Sequence, residues 1–121
     1  MIGFGVAVAA GLGALLRYLV DQLVQQRARR DFPFGTVLIN LTGSFLLGLV
    51  TGLAAHHGLP AAPTVILGTG LAGGYTTLST WAWETVALAE TGDLAEAGIN
   101  VFGSFAAGLA AAAAGLAIAQ L

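Results

Sequence analysis

Apolar positions in this chain come in long unbroken runs, and the polar ones collect at the joins between them. Uncharged runs extend from Phe34 to Ala55, from Ala61 to Trp83 and from Ala97 to Leu121; a fourth, Met1 to Val20, is interrupted only by Arg17. A helix needs about 20 such residues to cross a ~30 Å hydrocarbon core. Each run therefore predicts a membrane-spanning helix: span 1 over about residues 2–23, span 2 over 34–55, span 3 over 61–89 and span 4 over 95–120. Between them, "DQLVQQRARRD" and "ETGDLAEAG" read as polar turns and "HHGLP" as a tight one. Pro33 falls on the first turn of span 2, where its missing N–H costs little. The expected architecture is an all-α membrane protein, one four-helix transmembrane domain over residues 1–121.

Span 3 breaks the pattern. Within "GTGLAGGYTT", Gly68, Gly70, Gly73 and Gly74 disfavour a continuous helix, which predicts a break near residues 72–76. Lipid tolerates unpaired backbone groups only where protein, water or an ion satisfies them. Loose carbonyls at a mid-membrane break are natural cation sites.

Composition narrows the class. With 57% hydrophobic and 8% charged residues in 121, the chain has too little polar surface for a water-soluble domain of its size. It has no cysteine, so disulfides and thiolate metal sites are excluded, and its net charge of −2 argues against a nucleic-acid partner. Span 1 lacks a basic leader and carries Arg17 and Tyr18 where a cleavage site would fall, so it reads as a span rather than a signal peptide. Arg27, Arg29 and Arg30 lie in the span 1–2 connection, and the span 2–3 connection has no Lys or Arg. The positive-inside rule then puts the 1–2 and 3–4 turns in the cytoplasm and both termini outside.

Small residues recur every four positions on span 2 (Thr36, Asn40, Ser44, Gly48, Gly52) and on span 4 (Asn100, Ser104, Gly108, Ala112), ridges that let helices approach closely in lipid. Asn40 is a carboxamide in an uncharged span and needs partners, either as interhelical glue or as a donor aimed at an anion. Arg17 can snorkel to the interface or cap the C-terminal end of a neighbouring half-helix. Glu84 is the one acidic residue between Asp31 and Glu90, so it is read as a functional or helix-pairing group. Trp83 reads as an interface anchor and Trp81, among hydroxyls, as a lining residue. His56 and His57 lack a spaced third ligand and read as solvent-facing.

In their order, "GLGALLRY", "FPFGTVLINLTGSFLLG", "GGYTTLSTWAWE" and "NVFGSFAAG" make the chain resemble the Fluc (CrcB-type) fluoride channels along nearly its whole length. The resemblance implies small subunits paired antiparallel in dual topology, two fluoride pathways per pair, and a central structural sodium ion at the breaks of the third helices. It implies that backbone carbonyls of Gly73 and Thr76 face that sodium. It assigns Asn40, Thr77, Leu78, Ser79, Thr80, Trp81 and Ser104 to the fluoride pathway, with Arg17 and Glu84 at the family's polar structural positions. Where the family has phenylalanine-Ser-Thr-phenylalanine, this chain has Leu78-Ser79-Thr80-Trp81, losing one ring edge and gaining an indole N–H. Asn100 stands where an aromatic is often found. Some members resemble heterodimers, so the partner is either a second copy or a paralogous chain, the latter making this chain a half-channel with a degraded pore.

The implied function is passive fluoride efflux across a bacterial-type plasma membrane, with no small-molecule cofactor and no enzymatic step. The rivals are a small multidrug-type cation/proton antiporter, which needs a carboxylate that span 1 lacks before Asp21, and a non-transporting scaffold.

Overall fold

The computed structural model describes residues 1–28 and 31–121. Arg29 and Arg30, two of the three arginines behind the orientation expectation, lie outside the described residues. The described residues form helices and turns with no strand. Helix α1 spans Ile2–Ala28 and α2 spans Phe34–His57. Helix α3 covers 61–75 as three continuous stretches, Ala61–Val65, a wide π-type stretch Ile66–Ala72, and Gly73–Tyr75. Helix α4 spans Ser79–Glu90. Helix α5 runs Leu94–Ile118, with π-type bonding over Ile99–Gly103. Among the described residues, α1, α2 and α5 are long and apolar enough to cross a membrane; the interruption between α3 and α4 divides the remaining apolar run, Ala61 to Trp83.

The termini of α2 follow local chemistry. Pro33 precedes its first residue, and the helix stops at Gly58, which takes the left-handed conformation (φ 65°) open to glycine and bonds its amide back to Leu53.

Packing comes in two pairs, α1 against α3 and α2 against α5. Glycine sets the separation in both. A methyl group on Gly48 would collide with the Ala112 backbone, and one on Gly115 with the Phe45 carbonyl. In the other pair, a methyl on Gly74 would strike the Ala10 backbone, and one on Gly13 would lie 2.7 Å from the Tyr75 amide. Backbones this close are held by dispersion contacts, the main source of helix association in lipid. The apolar interior is correspondingly thin (Ile39, Val50, Ala72, Leu88), and large side chains such as Phe4, Leu12, Phe102 and Leu109 point outward. That inversion suits a hydrocarbon solvent.

The glycine run of α3 stays helical, and the backbone leaves the helix only afterwards, at Thr76, whose φ −76° and ψ 162° are extended. Residues 76–78 are non-helical, so the departure falls at the C-terminal edge of the expected 72–76 window, after the glycines themselves. Gly70 and Gly74 serve close approach to α1. The chain opens instead where Thr76, Thr77 and Asn40 can rebond the freed backbone groups.

Candidate functional site

The interruption begins with a missing ladder. Once Thr76 is extended, the backbone amide and carbonyl of Thr77 need partners from outside their own helix. Asn40 on α2 supplies both: its Nδ2 donates to the Thr77 carbonyl at 2.9 Å, and its Oδ1 accepts the Thr77 amide at 2.9 Å. A carboxamide has the donor–acceptor geometry of a peptide group, so Asn40 replaces a missing strand partner. One Nδ2 hydrogen is left over.

Arg17 treats the preceding carbonyl. Its Nη1 donates to the Thr76 oxygen at 3.2 Å, placing a guanidinium at the C-terminal end of α3, where the helix dipole favours positive charge. The Thr76 hydroxyl bonds back to the Ala72 carbonyl at 2.9 Å. Beyond the break, the Thr77 hydroxyl oxygen accepts the Thr80 amide at 3.2 Å and lies 3.1 Å from the Thr80 hydroxyl, capping the first turn of α4. Thr77 is buried, whereas Leu78 is 75% exposed and Ser79 and Thr80 are exposed.

Beside the break lies a cavity of about 390 Å³. Its polar wall is Asn40, Ser44, Thr76, Thr77 and Ser104, joined by the Trp81 indole; Gly73 and Leu78 also line it. No Asp, Glu, Lys or Arg is among its lining residues. Trp81 donates its indole N–H at 2.9 Å to both the Asn100 carbonyl and the Ser104 hydroxyl oxygen. Trp83 points away and is 72% exposed.

Glu84 stands apart from this cavity. The Thr36 hydroxyl donates to its Oε1 at 2.9 Å, tying α4 to α2, and its Oε2 is buried with no partner among the described residues. The structure thus gathers Asn40, Thr76, Thr77, Leu78, Trp81 and Ser104 around one cavity with Gly73. Ser79, Thr80, Arg17 and Glu84 lie outside its lining. His56 and His57 are exposed, and the described residues hold no cluster of metal-ligating side chains.

Sequence reasoning treats Thr36 and Ser44 only as members of small-residue stripes, and Asn100 as that and as a replacement for an aromatic. Thr36 and Asn100 are almost wholly buried, and Ser44 contributes a hydroxyl to the cavity wall. The available signal is their chemistry: a hydroxyl or carboxamide inside an apolar run needs a partner, which points to contact with another polar residue.

Fold and site together define a multi-pass helical membrane protein with an uncharged, mainly apolar cavity whose few polar groups gather at an interrupted helix. A sequence profile of the family described as "CrcB-like protein, Camphor Resistance (CrcB)" matches residues 4–116. A protein of Leifsonia xyli subsp. xyli named "Fluoride-specific ion channel FluC 1" is 47% identical over 116 residues, covering 96% of this chain and 85% of that protein. "Fluoride-specific ion channel FluC 2" of Mycobacterium tuberculosis is 45% identical over 120 residues, 99% of this chain and 92% of its own length. "Fluoride-specific ion channel FluC" of Methylobacterium nodulans is 46% identical over 114 residues, 93% of this chain and 91% of that one. The chain belongs to the CrcB family, as its sequence motifs lead one to expect.

Proposed function

We propose that the chain is one subunit of a fluoride-selective channel that lowers cytoplasmic fluoride by passive efflux across the bacterial plasma membrane. The observation that carries this reading is the uncharged cavity wall at the helix break, where the Ser44 hydroxyl and the second Asn40 amide hydrogen, which no bond among the described residues uses, are left to donate within a mainly apolar lining. A small, strongly hydrated anion needs donors that replace its water, held loosely enough to release it. A fixed cationic group would bind it too long, and a carboxylate would repel it. The relatives named fluoride-specific ion channels support the same assignment over nearly the whole chain.

In this reading the pathway follows Asn40, Thr77, Leu78, Ser79, Thr80, Trp81 and Ser104. Asn40 has a dual part, since one amide hydrogen holds the Thr77 backbone and the other is free for an ion. Two subunits pair antiparallel, either identical or paralogous, and a sodium ion lies between their interrupted helices. The donor set suits such an ion: backbone carbonyls are hard, neutral oxygens, Gly73 has no side chain to obstruct, and Arg17 occupies only one side of the Thr76 oxygen. Gly73 and Thr76 of each subunit would hold the ion, which when bound supplies positive potential near the anion's route. Arg17 keeps the end of α3 in place, and Asn40 orients the chain that follows.

The antiporter alternative requires an ionisable carboxylate at the transported cation. Glu84 is bonded to Thr36 and lies off the cavity. Purified protein in liposomes loaded with fluoride, read by a fluoride electrode, tests the proposal. Fluoride release that is selective over chloride and independent of a proton gradient is the expected result. Proton-coupled export of an organic cation would favour the antiporter, and absence of both fluxes would favour a scaffold.

A further inference from the structure

The cavity's two walls differ in what they offer an anion, and the difference traces to Trp81. Where the π-type stretch Ile99–Gly103 ends, the Ser104 amide bonds the Val101 carbonyl, three residues back, instead of that of Asn100, four residues back. The Asn100 carbonyl is thereby open to side chains. It receives the Trp81 indole N–H at 2.9 Å and also the Ser104 hydroxyl. The same indole N–H lies 2.9 Å from the Ser104 oxygen. Ser104 has a single proton, and with its oxygen set against the Asn100 carbonyl that proton is best spent within its own helix.

A second strand of bonds holds the arrangement from behind. The Asn100 side chain, 0% exposed, donates through Nδ2 to the Thr85 hydroxyl at 2.8 Å. Thr85 in turn donates to the Trp81 carbonyl at 2.8 Å. Trp81 and Asn100 are therefore joined in a closed loop, the indole to the Asn100 backbone and the Asn100 amide through Thr85 to the Trp81 backbone. The loop fixes the indole against the cavity wall. Rotating Ser104 toward the cavity would abandon its bond to Asn100 and disturb the oxygen that the indole already uses.

We propose that Trp81 is a latch: its indole N–H, shared between the Asn100 carbonyl and the Ser104 oxygen, commits the Ser104 proton to the helix and withholds it from the anion until the indole turns away. The latch rests on the channel reading above. Its resting wall on the α5 side presents oxygen lone pairs rather than donors, so conduction through this subunit's cavity is slower than its hydroxyl content suggests. Trp81 acts here as a positioning residue, through Ser104.

The test is a double-mutant cycle of fluoride efflux from liposomes with wild type, Trp81→Phe, Ser104→Ala and the double variant. Phenylalanine keeps a ring and removes the N–H. Trp81→Phe is expected to raise flux about fivefold, roughly 1 kcal/mol at 1.36 kcal/mol per tenfold, the scale of one membrane hydrogen bond. Ser104→Ala is expected to cost about fivefold more flux in the Trp81→Phe background than in the wild type. Equal losses in both backgrounds, or a Trp81→Phe channel slower than wild type, would overturn the latch while leaving fluoride conduction intact. Absence of fluoride flux from all four proteins would overturn the channel reading and the latch with it. If Trp81→Phe does not fold, the indole ¹H–¹⁵N resonances decide, the two tryptophans being told apart with Trp83→Phe. Ser104→Ala should move the Trp81 resonance and leave that of Trp83 in place; an unmoved Trp81 signal refutes the shared bond.

Discussion

Replacing Asn40 by alanine perturbs the break at its most specific support. The substitution removes two hydrogen bonds of 2.9 Å, one to the Thr77 carbonyl and one from the Thr77 amide. In water, orphaning each buried group would cost about 1–3 kcal/mol. In a membrane the denatured helix can pair the same groups internally, and side-chain hydrogen bonds there average about 0.6 and reach about 1.7 kcal/mol each. Two of them give roughly 1–3.5 kcal/mol, and Thr77 is nearly fully buried, which favours the upper half of that range. A loss of about 2 kcal/mol changes the folding equilibrium roughly 30-fold. Reversible unfolding in mixed detergent micelles measures it, and amide hydrogen exchange at Thr77 locates it. In the wild type the Thr77 amide should be protected although its segment is not helical, and Asn40→Ala should abolish that protection while amides in the middle of α1 keep theirs. Asn40→Asp retains the acceptor for the Thr77 amide but sets a carboxylate against the Thr77 carbonyl, so it should be no better than alanine. An Asn40→Ala protein within about 0.5 kcal/mol of wild type, with Thr77 equally protected, would refute the clamp.

Other perturbations separate the remaining supports. Gly48→Val drives a side chain into the Ala112 backbone and should destabilise the protein by about 1–3 kcal/mol in the same unfolding assay, whereas Gly11→Ala, with nothing within 4 Å, should be neutral or mildly stabilising. Arg17→Met removes the cation at the Thr76 carbonyl and should cost about 1 kcal/mol, with Arg17→Lys recovering part of it. Ser44→Ala removes a cavity hydroxyl and should slow fluoride efflux several-fold, roughly what one membrane hydrogen bond is worth, without changing thermal stability. Exchanging sodium for a bulky organic cation should lower the melting temperature of the assembled pair, since a ligand at about 100 times its dissociation constant contributes about 2.7 kcal/mol; an unchanged melting temperature would argue against the bound ion.

The helices were readable because lipid imposes a simple requirement, an uncharged run of sufficient length, and α1, α2 and α5 meet it plainly. The break falls at the far edge of its expected window, past the glycines that suggested it, because glycine has two uses. Gly68, Gly70 and Gly74 look like helix breakers, yet Gly70 and Gly74 keep helical backbone and let α1 approach; a methyl on Gly70 would lie 2.9 Å from the Ala9 side chain. The actual opening at Thr76 is fixed by bonds to residues distant in the chain, Asn40 at a separation of 37 and Arg17 at 59. No local pattern encodes such pairings. Its hydroxyl neighbours marked Trp81 as a lining residue, and it does face the cavity, while Trp83 points outward. Those neighbours could not show that Trp81 would spend its N–H on Asn100 and Ser104, which depends on the wide turn in α5 and on where that turn leaves a carbonyl.

Selectivity tests the account most directly. With the purified protein in a planar bilayer under opposed fluoride and chloride gradients, the neutral-donor cavity at the Thr76–Leu78 interruption should give a current that reverses at the fluoride equilibrium potential. A reversal that follows chloride, or protons, would contradict it.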